Sequence, residues 1–249
     1  MPRWFNIAGP CTDNHYMLPV LRRLPTIRRL IDRSSYFVLH APRQVGKTTA
    51  LLSLARELNA EGRYVSVLLS MEVGAAFADI GAAELAILDA WRRAARSRLD
   101  AADQPPVWPD ASPGTRIGAA LEHWARTAGR PLVVFLDEID SLQGPTLISV
   151  LRQLRDGHSQ RPVGFPWSRG LVGLRDGRDY RAAPAGSAAD RAGQHLGTAS
   201  PFNIKDRSLT LRNFNADEAR ELYEQHTAET GQRFEAAAVA RAYELTEGQ

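Results

Sequence analysis

The chain has 249 residues, 44% of them hydrophobic and 24% charged, a balance that excludes wholesale disorder and suits one large domain with a small appendage. Lys and Arg number 31 against 28 Asp and Glu, a net charge of +3 that is too small by itself to argue for nucleic acid or an anionic membrane as partner. A single cysteine, Cys11, excludes an internal disulfide and Cys-rich zinc sites, and with no apolar run near the roughly 18 residues of a membrane span and no signal-peptide core the reading is a soluble, cytoplasmic protein without a membrane partner.

Tyr36 to His40 (YFVLH) reads as a short strand, and Gly46 to Asn59 as a helix with Leu51, Leu52, Leu54, Ala55 and Leu58 on one broad face. A second strand is expected over Tyr64 to Met71. A helix follows over Ile80 to Leu99, with Leu85, Leu88 and Trp91 on its apolar side. Pro105, Pro106, Pro109 and Pro113 make a regular element unsuited to Asp100 to Gly114. Ile117 to Ala128 is helical again. Leu132 to Leu136 (LVVFL) is continuously apolar, as a strand covered on both faces must be. Pro145 to Arg155 reads as a helix with its proline in the first turn. Gly170 to Leu174 is a fourth strand and Leu209 to Leu211 a short fifth, with a long Gly-, Ala-, Arg- and Ser-rich loop over Asp176 to Ser200 between them. Two helices close the chain, about Ala216–Thr230 and Glu235–Glu247, the first capped by Asn215 with Glu218 in capping-box position. Strands alternating with helices predict an α/β fold with a mainly parallel sheet. The change to helices alone places a boundary near residue 212. The expected organisation is an N-terminal arm and helix over 1–34, a core over 35–212 and a small helical unit over 213–249.

Residues 41 to 48 read A-P-R-Q-V-G-K-T, a phosphate-binding loop of the form G-x-x-x-x-G-K-[ST] with Ala41 at its first glycine. It leaves a strand and opens a helix, as that motif requires. Ala41, Pro42, Arg43, Gln44 and Val45 form the loop. Backbone N–H groups from Val45 to Thr48 can converge on a phosphate at the positive end of the helix, whose first turn includes Thr49. Gly46 removes the side chain that would block approach. Lys47 can reach the β- and γ-phosphates, and the Thr48 hydroxyl can ligate Mg²⁺.

The apolar strand 132–136 ends in Asp137-Glu138. An acid here can hold Mg²⁺, which is the role expected of Asp137. Glu138 is placed to orient and activate water as general base. A second acid beside the metal acid suits water as acceptor and hence nucleotide hydrolysis. A small-molecule kinase would need a cationic lid, which Arg175, Arg178 and Arg181 could supply. Asp140 fits a local turn or cap.

Together these residues resemble the additional-strand P-loop ATPases, the group of AAA+ and STAND proteins. More narrowly the chain is similar to a bacterial family of AAA-like ATP-binding proteins. The resemblance runs through FNIAGPCTDNHY (Phe5 to Tyr16), HAPRQVGKTT (His40 to Thr49), FLDEID (Phe135 to Asp140), GLRDGRDY (Gly173 to Tyr180), SPFNIK (Ser200 to Lys205) and YELTEGQ (Tyr243 to Gln249). It implies a P-loop core with strand order 5-1-4-3-2, a helical lid at the C-terminus, ATP and Mg²⁺ as cofactors, and hydrolysis that drives a conformational change read by a protein partner. Ala41 is common at its position in that family. His15 and Tyr16 fall where relatives wrap the N-terminal segment near the adenine, so Tyr16 could stack on the base or belong to an ordinary packed arm. Arg175 follows the fourth strand, where similar ATPases place a γ-phosphate sensor, and could instead be a solvated charge. Relatives continue past Gln249 with more helix, so the lid is expected to be truncated. A nucleotide switch without turnover and a DNA-associated ATPase are the alternatives, and an oligomer is compatible with either.

Other signals carry less. The six histidines show no metal spacing, and no G-x-S-x-G elbow marks a hydrolase. Arg22, Arg23, Arg28 and Arg29 read as a solvated basic face that could touch nucleic-acid phosphates. The five tryptophans, at 4, 91, 108, 124 and 167, read as packing residues.

Overall fold

A computed structural model describes residues 3–7, 9–42, 44–161, 163–173 and 207–249. Helix α1 (Ile27–Asp32) leads into β1 (Tyr36–His40), α2 (Lys47–Ala60), β2 (Val65–Ser70), α3 (Ile80–Arg98), α4 (Arg116–Thr127), β3 (Leu132–Asp137), α5 (Gly144–Asp156) and β4 (Ser168–Gly173). After β5 (Arg207–Thr210) come α6 (Ala216–Thr230) and α7 (Ala236–Thr246). The strands form one sheet in the order β2-β3-β4-β1-β5, every pairing parallel. This is the order that the resemblance to P-loop ATPases implies, read from the other edge.

Continuous apolar strands fit because both faces of the sheet are covered. Successive side chains alternate between two cores. Tyr36, Val38, Val65, Val67, Leu69, Leu132, Val134 and Leu136 pack under α3, α4 and α5 with Trp91 and Trp124. Phe37, Leu39, Leu68, Val133 and Phe135 face α1 and α2, against Ile27, Leu51, Leu54 and Leu58. Trp108 stacks edge-on to Trp124, whereas Trp4 is half exposed against His15 and so departs from the packing role.

Leu85 is a correction to the expected face of α3: it is 55% exposed. At about 100° per residue the buried stripe runs through Glu84, Ile87, Leu88, Trp91 and Ala95, and Leu85 falls beside it. The buried carboxylate of Glu84 has specific partners. Its oxygens accept from the Gly114 amide at 2.7 Å and the Gln153 amide group at 2.8 Å, and Gln153 accepts from the Gly118 amide at 2.8 Å. These bonds satisfy the buried polar atoms and tie α3, α4 and α5 together behind the sheet.

Among the described residues the proline-rich stretch contains only a single 3-10 turn, Ala101–Asp103. Strand β4 begins two residues before the expected Gly170 and β5 two before the expected Leu209, because pairing with β3 and β1 extends the first and pairing with β1 the second. Helix α6 begins with the expected capping box: the Asn215 side chain accepts from the Glu218 amide, and the Glu218 carboxylate accepts from the Asn215 amide. It ends at Gly231, whose φ of 75° suits a residue without Cβ.

Gly170 lies opposite Phe37 in the ladder. A Cβ there would come within 2.8 Å of the Phe37 ring and 3.0 Å of the Phe135 ring, both fully buried. Gly170→Val is expected to lower the unfolding free energy by about 1–3 kcal/mol through overpacking, measured as a lower urea midpoint at unchanged m-value.

Candidate nucleotide-binding site

The site forms at the C-terminal ends of β1 and β3, which parallel pairing brings to one edge of the sheet on either side of β4. Open α/β sheets bind ligands at that edge. The chain leaves β1 at His40 and turns through the phosphate loop into α2. Gly46 holds φ 84° at the helix N-cap and supplies no side-chain cap. The positive end of the α2 dipole therefore opens at the loop with no side-chain cap over it. Gln44 also has positive φ, 63°, an uncommon conformation that marks a constrained loop. Ala41 is buried and absent from the positive-φ positions, so a Cβ is tolerated where the motif has glycine. Arg43 lies outside the described residues.

The Lys47 ammonium donates to the carbonyls of Ala41 at 2.9 Å and Pro42 at 2.7 Å, which keeps its charge within the loop. The Thr48 hydroxyl donates to Asp137 Oδ2 at 3.0 Å. This bond joins the two sequence motifs across β4. Asp137 is only 6% exposed. Burial pushes its carboxyl above the usual carboxylate range, opposed by the Thr48 hydroxyl bond and reinforced by the charge of Glu138. One carboxylate and one hydroxyl in contact are hard oxygen donors of the kind that hold Mg²⁺ together with nucleotide phosphates. Among the described residues no group of three or more His, Cys, Asp or Glu could hold a metal ion.

Glu138 follows with φ 58°, a left-handed conformation that turns the chain sharply at the strand end. Its Oε2 accepts from the Ser70 hydroxyl at 2.7 Å. Ser70 ends β2 and pairs in register with Asp137, and the Ser70 hydroxyl also accepts from the Glu72 amide at 3.1 Å. Sequence reasoning missed Ser70. A polar residue ending the second strand was the available signal, and only the β2–β3 register gives it meaning. Asp140 lies in a 3-10 turn over Ile139–Ser141, consistent with its expected local role.

Beside the loop opens a cavity of about 380 Å³, lined by Gly46, Thr49, Cys11, Tyr16, Arg23 and Tyr223 among others. Its walls are the arm, α2 and the helical pair α6–α7. The arm is fixed to α2 by the Cys11 amide donating to Thr49 Oγ1 at 3.0 Å and by an Asp13–Arg56 ion pair at 3.1 Å. It is fixed to α6 by the Arg3–Glu229 pair at 2.6 Å. Tyr16 lines the cavity but its ring packs against Phe5 and edge-on to His226, and its hydroxyl is within 3.4 Å of Glu229 Oε2. His15 is not among the cavity's described lining residues. Its Nδ1 accepts from the Thr12 amide at 2.8 Å and its ring stacks edge-on to Trp4.

The basic run is the expected solvated face only in part, at the exposed Arg22 and Arg29. Arg22 pairs with Glu221 of α6, and Arg28 with Glu61. Arg23 turns inward to the cavity, where burial holds its guanidinium below the usual arginine range. Arg29 remains exposed. Arg175, Arg178 and Arg181, the loop 176–200 and the SPFNIK segment lie outside the described residues, as does all of GLRDGRDY after Gly173.

A family model of the AAA ATPase domain matches residues 20–165, more than half of the chain and all of the site elements from α1 to α5. The chain belongs to the AAA ATPase domain family. This AAA domain is an ATP-binding P-loop protein. The walker-type ATPase paby2304 of Pyrococcus abyssi is similar in fold, with a TM-score of 0.58 at 14% identity over 100% of this chain and 66% of its own. Cdc6p from Pyrobaculum aerophilum gives 0.46 at 14% identity over 84% of this chain and 48% of its own. RuvB of Thermotoga maritima gives 0.43 at 16% identity over 89% and 53%. The AAA domain thus spans less than two thirds of the length of these structures, and at 14% identity the likeness to the Pyrococcus abyssi ATPase is one of fold. No curated protein matches the sequence. No helix among the described residues is long and apolar enough to cross a membrane.

A carboxyl whose folded-state pKa is raised loses stability when it ionises, above that pKa, and nothing below the unfolded value of about 3.9. In Asp137→Asn the side-chain oxygen still accepts from the Glu138 amide and the new NH2 donates to the Thr48 hydroxyl, so both contacts survive without the buried charge. The variant is expected to melt a few degrees above the wild type near neutral pH, an advantage that shrinks toward zero as the pH falls to about 4, in thermal melts across that range.

Proposed function

We propose that this AAA domain binds ATP with Mg²⁺, hydrolyses it, and passes the nucleotide state through a C-terminal helical lid to a protein partner in the cytoplasm. The observation that carries this reading is the Thr48–Asp137 hydrogen bond. It brings the hydroxyl and carboxylate suited to the metal into contact, with Lys47 one residue before Thr48 and Glu138 one residue after Asp137. When bound, Mg²⁺ would neutralise charge on the phosphates. The chain's residues do the rest. The N–H groups at the start of α2 and the Lys47 ammonium bind and orient the phosphates. Glu138 takes the proton of the attacking water at a carboxylate oxygen, and Ser70 fixes the orientation of that carboxylate, as a base is commonly held by a third group.

In this reading residues 1–34 are an arm and helix, 35–212 the ATPase core and 213–249 the lid. The adenine has room in the cavity between arm, α2 and lid, with Tyr16 at its wall. A DNA-associated role draws no support from the basic run, since Arg22 and Arg28 are ion-paired and Arg23 faces the cavity.

The test is Mg²⁺-dependent phosphate release from ATP beside titration with a fluorescent ATP analogue. Lys47→Ala is expected to weaken nucleotide binding by at least about tenfold. Glu138→Gln should retain binding and lose about 10²-fold or more of the turnover. Ser70→Ala should leave binding unchanged and lower kcat about three- to tenfold. Tight binding with no turnover in the wild type, unchanged by Glu138→Gln, would replace the ATPase with a non-hydrolysing switch.

A further inference from the structure

Arg23 sits where the phosphate loop, the cavity and the start of the helical pair meet. Its Nη1 donates to the Val45 carbonyl at 2.9 Å and to the Arg212 carbonyl at 3.3 Å. Its guanidinium carbon lies 4.1 Å from the centroid of the Phe214 ring, a stacking that fixes the plane of the group. One side chain therefore touches the loop at residue 45 and the linker 211–214 at two points.

That linker carries the helical pair. The Leu211 amide donates to the His40 carbonyl at 3.1 Å, at the end of β1. Arg212 donates to both oxygens of Glu218, the capping-box residue of α6, at 2.6 and 2.8 Å. The Phe214 amide donates to the Gly248 carbonyl at 3.0 Å, and the Asn213 side chain to the Glu247 carbonyl at 3.0 Å. A shift of Phe214 would thus reach the start of α6 and the residues just past α7 together.

Two features of Arg23 point to a ligand as well as to the linker. Its Nη2 and Nε make no hydrogen bond among the described residues, and Nη2 lies 3.5 Å from where a Cβ on Gly46 would stand, directly over the loop glycine. Arg23 also has no ion pair among the described residues. Its charge is half-buried in the cavity wall with no carboxylate in contact among the described residues, Glu218 acting on it only from a distance, a cost that an anionic ligand would offset.

We propose that Arg23 is a positioning residue that links the nucleotide to the lid. Nη2 donates to an oxygen of the bound nucleotide's ribose or phosphates, and through Nη1 and the Phe214 stack that contact fixes the linker 211–214. The inference rests on the ATP-binding reading above and adds the route by which occupancy reaches the helical pair. An arginine is required because its planar fork serves loop, linker and ligand at once, which an ammonium cannot.

The experiment measures ATP affinity with a fluorescent analogue and amide exchange in the linker peptide, with and without saturating ATP and Mg²⁺. In the wild type, ATP should slow linker exchange by about tenfold or more. Arg23→Gln should bind ATP about tenfold more weakly, and at saturation its linker should exchange as fast as without nucleotide. Arg23→Lys keeps the charge and serves if the glutamine variant fails to fold. It should bind ATP within about threefold of the wild type, yet show no ATP-dependent linker protection. Full linker protection in either variant at saturating ATP would overturn the inference, as would a wild-type linker indifferent to bound ATP. A wild type that binds no ATP would overturn both this inference and the reading beneath it. Wild-type binding that is lost in Lys47→Ala but unaltered in both Arg23 variants would overturn this inference alone.

Discussion

The Thr48–Asp137 hydrogen bond, 3.0 Å long between residues 89 positions apart, is the contact around which the rest of this domain is arranged. Neighbouring strands lie about 4.8 Å apart, so β1 and β3, separated by β4, end about 10 Å from each other. The bond closes that gap because the loop after β1 turns back over the sheet edge before α2 begins. The left-handed φ values of Gln44 and Gly46 produce that turn. Parallel pairing is the other requirement, since an antiparallel β3 would carry its acids to the opposite edge.

Polar groups held at this edge are costly to bury, and the fold spreads that cost across a rigid frame. Asp137 is desolvated and raised in pKa, Glu138 adopts a left-handed backbone, and Arg23 is half-buried with no ion pair among the described residues. Behind them the sheet has an apolar core on each face, and the Glu84–Gln153 bonds lock the three helices of one layer. Groups that chemistry needs in an unfavourable state persist only where the surroundings over-determine them.

The two ends of the chain complete the site. The arm reaches α2 through Cys11 and Asp13 and α6 through Arg3 and Glu229. Arg22 reaches α6 through Glu221. The cavity wall is thus assembled from segments more than 200 residues apart in sequence, such as Tyr16 and Tyr223, and its shape responds to any movement of the helical pair relative to α2.

What the sequence determined by itself was whatever local chemistry dictates. The phosphate loop, the apolar strand ending in Asp137-Glu138 and the Asn215–Glu218 capping box are short motifs of neighbouring residues, so they could be read without coordinates. The alternation of strands and helices carried the fold class for the same reason, and the resemblance to P-loop ATPases added the strand order. Tertiary structure alone decided the rest. Ser70 meets Glu138 because of the β2–β3 register, and Arg23 meets Val45 and Phe214 because the fold brings them together, neither of which spacing along the chain encodes. Leu85 departs from its expected burial because the stripe on α3 is set by the helices it packs against. Tyr16 lines a cavity and packs in an aromatic cluster at once, because the arm folds between two distant helices. Distances between remote segments depend on the whole packing, and no run of neighbouring residues specifies them.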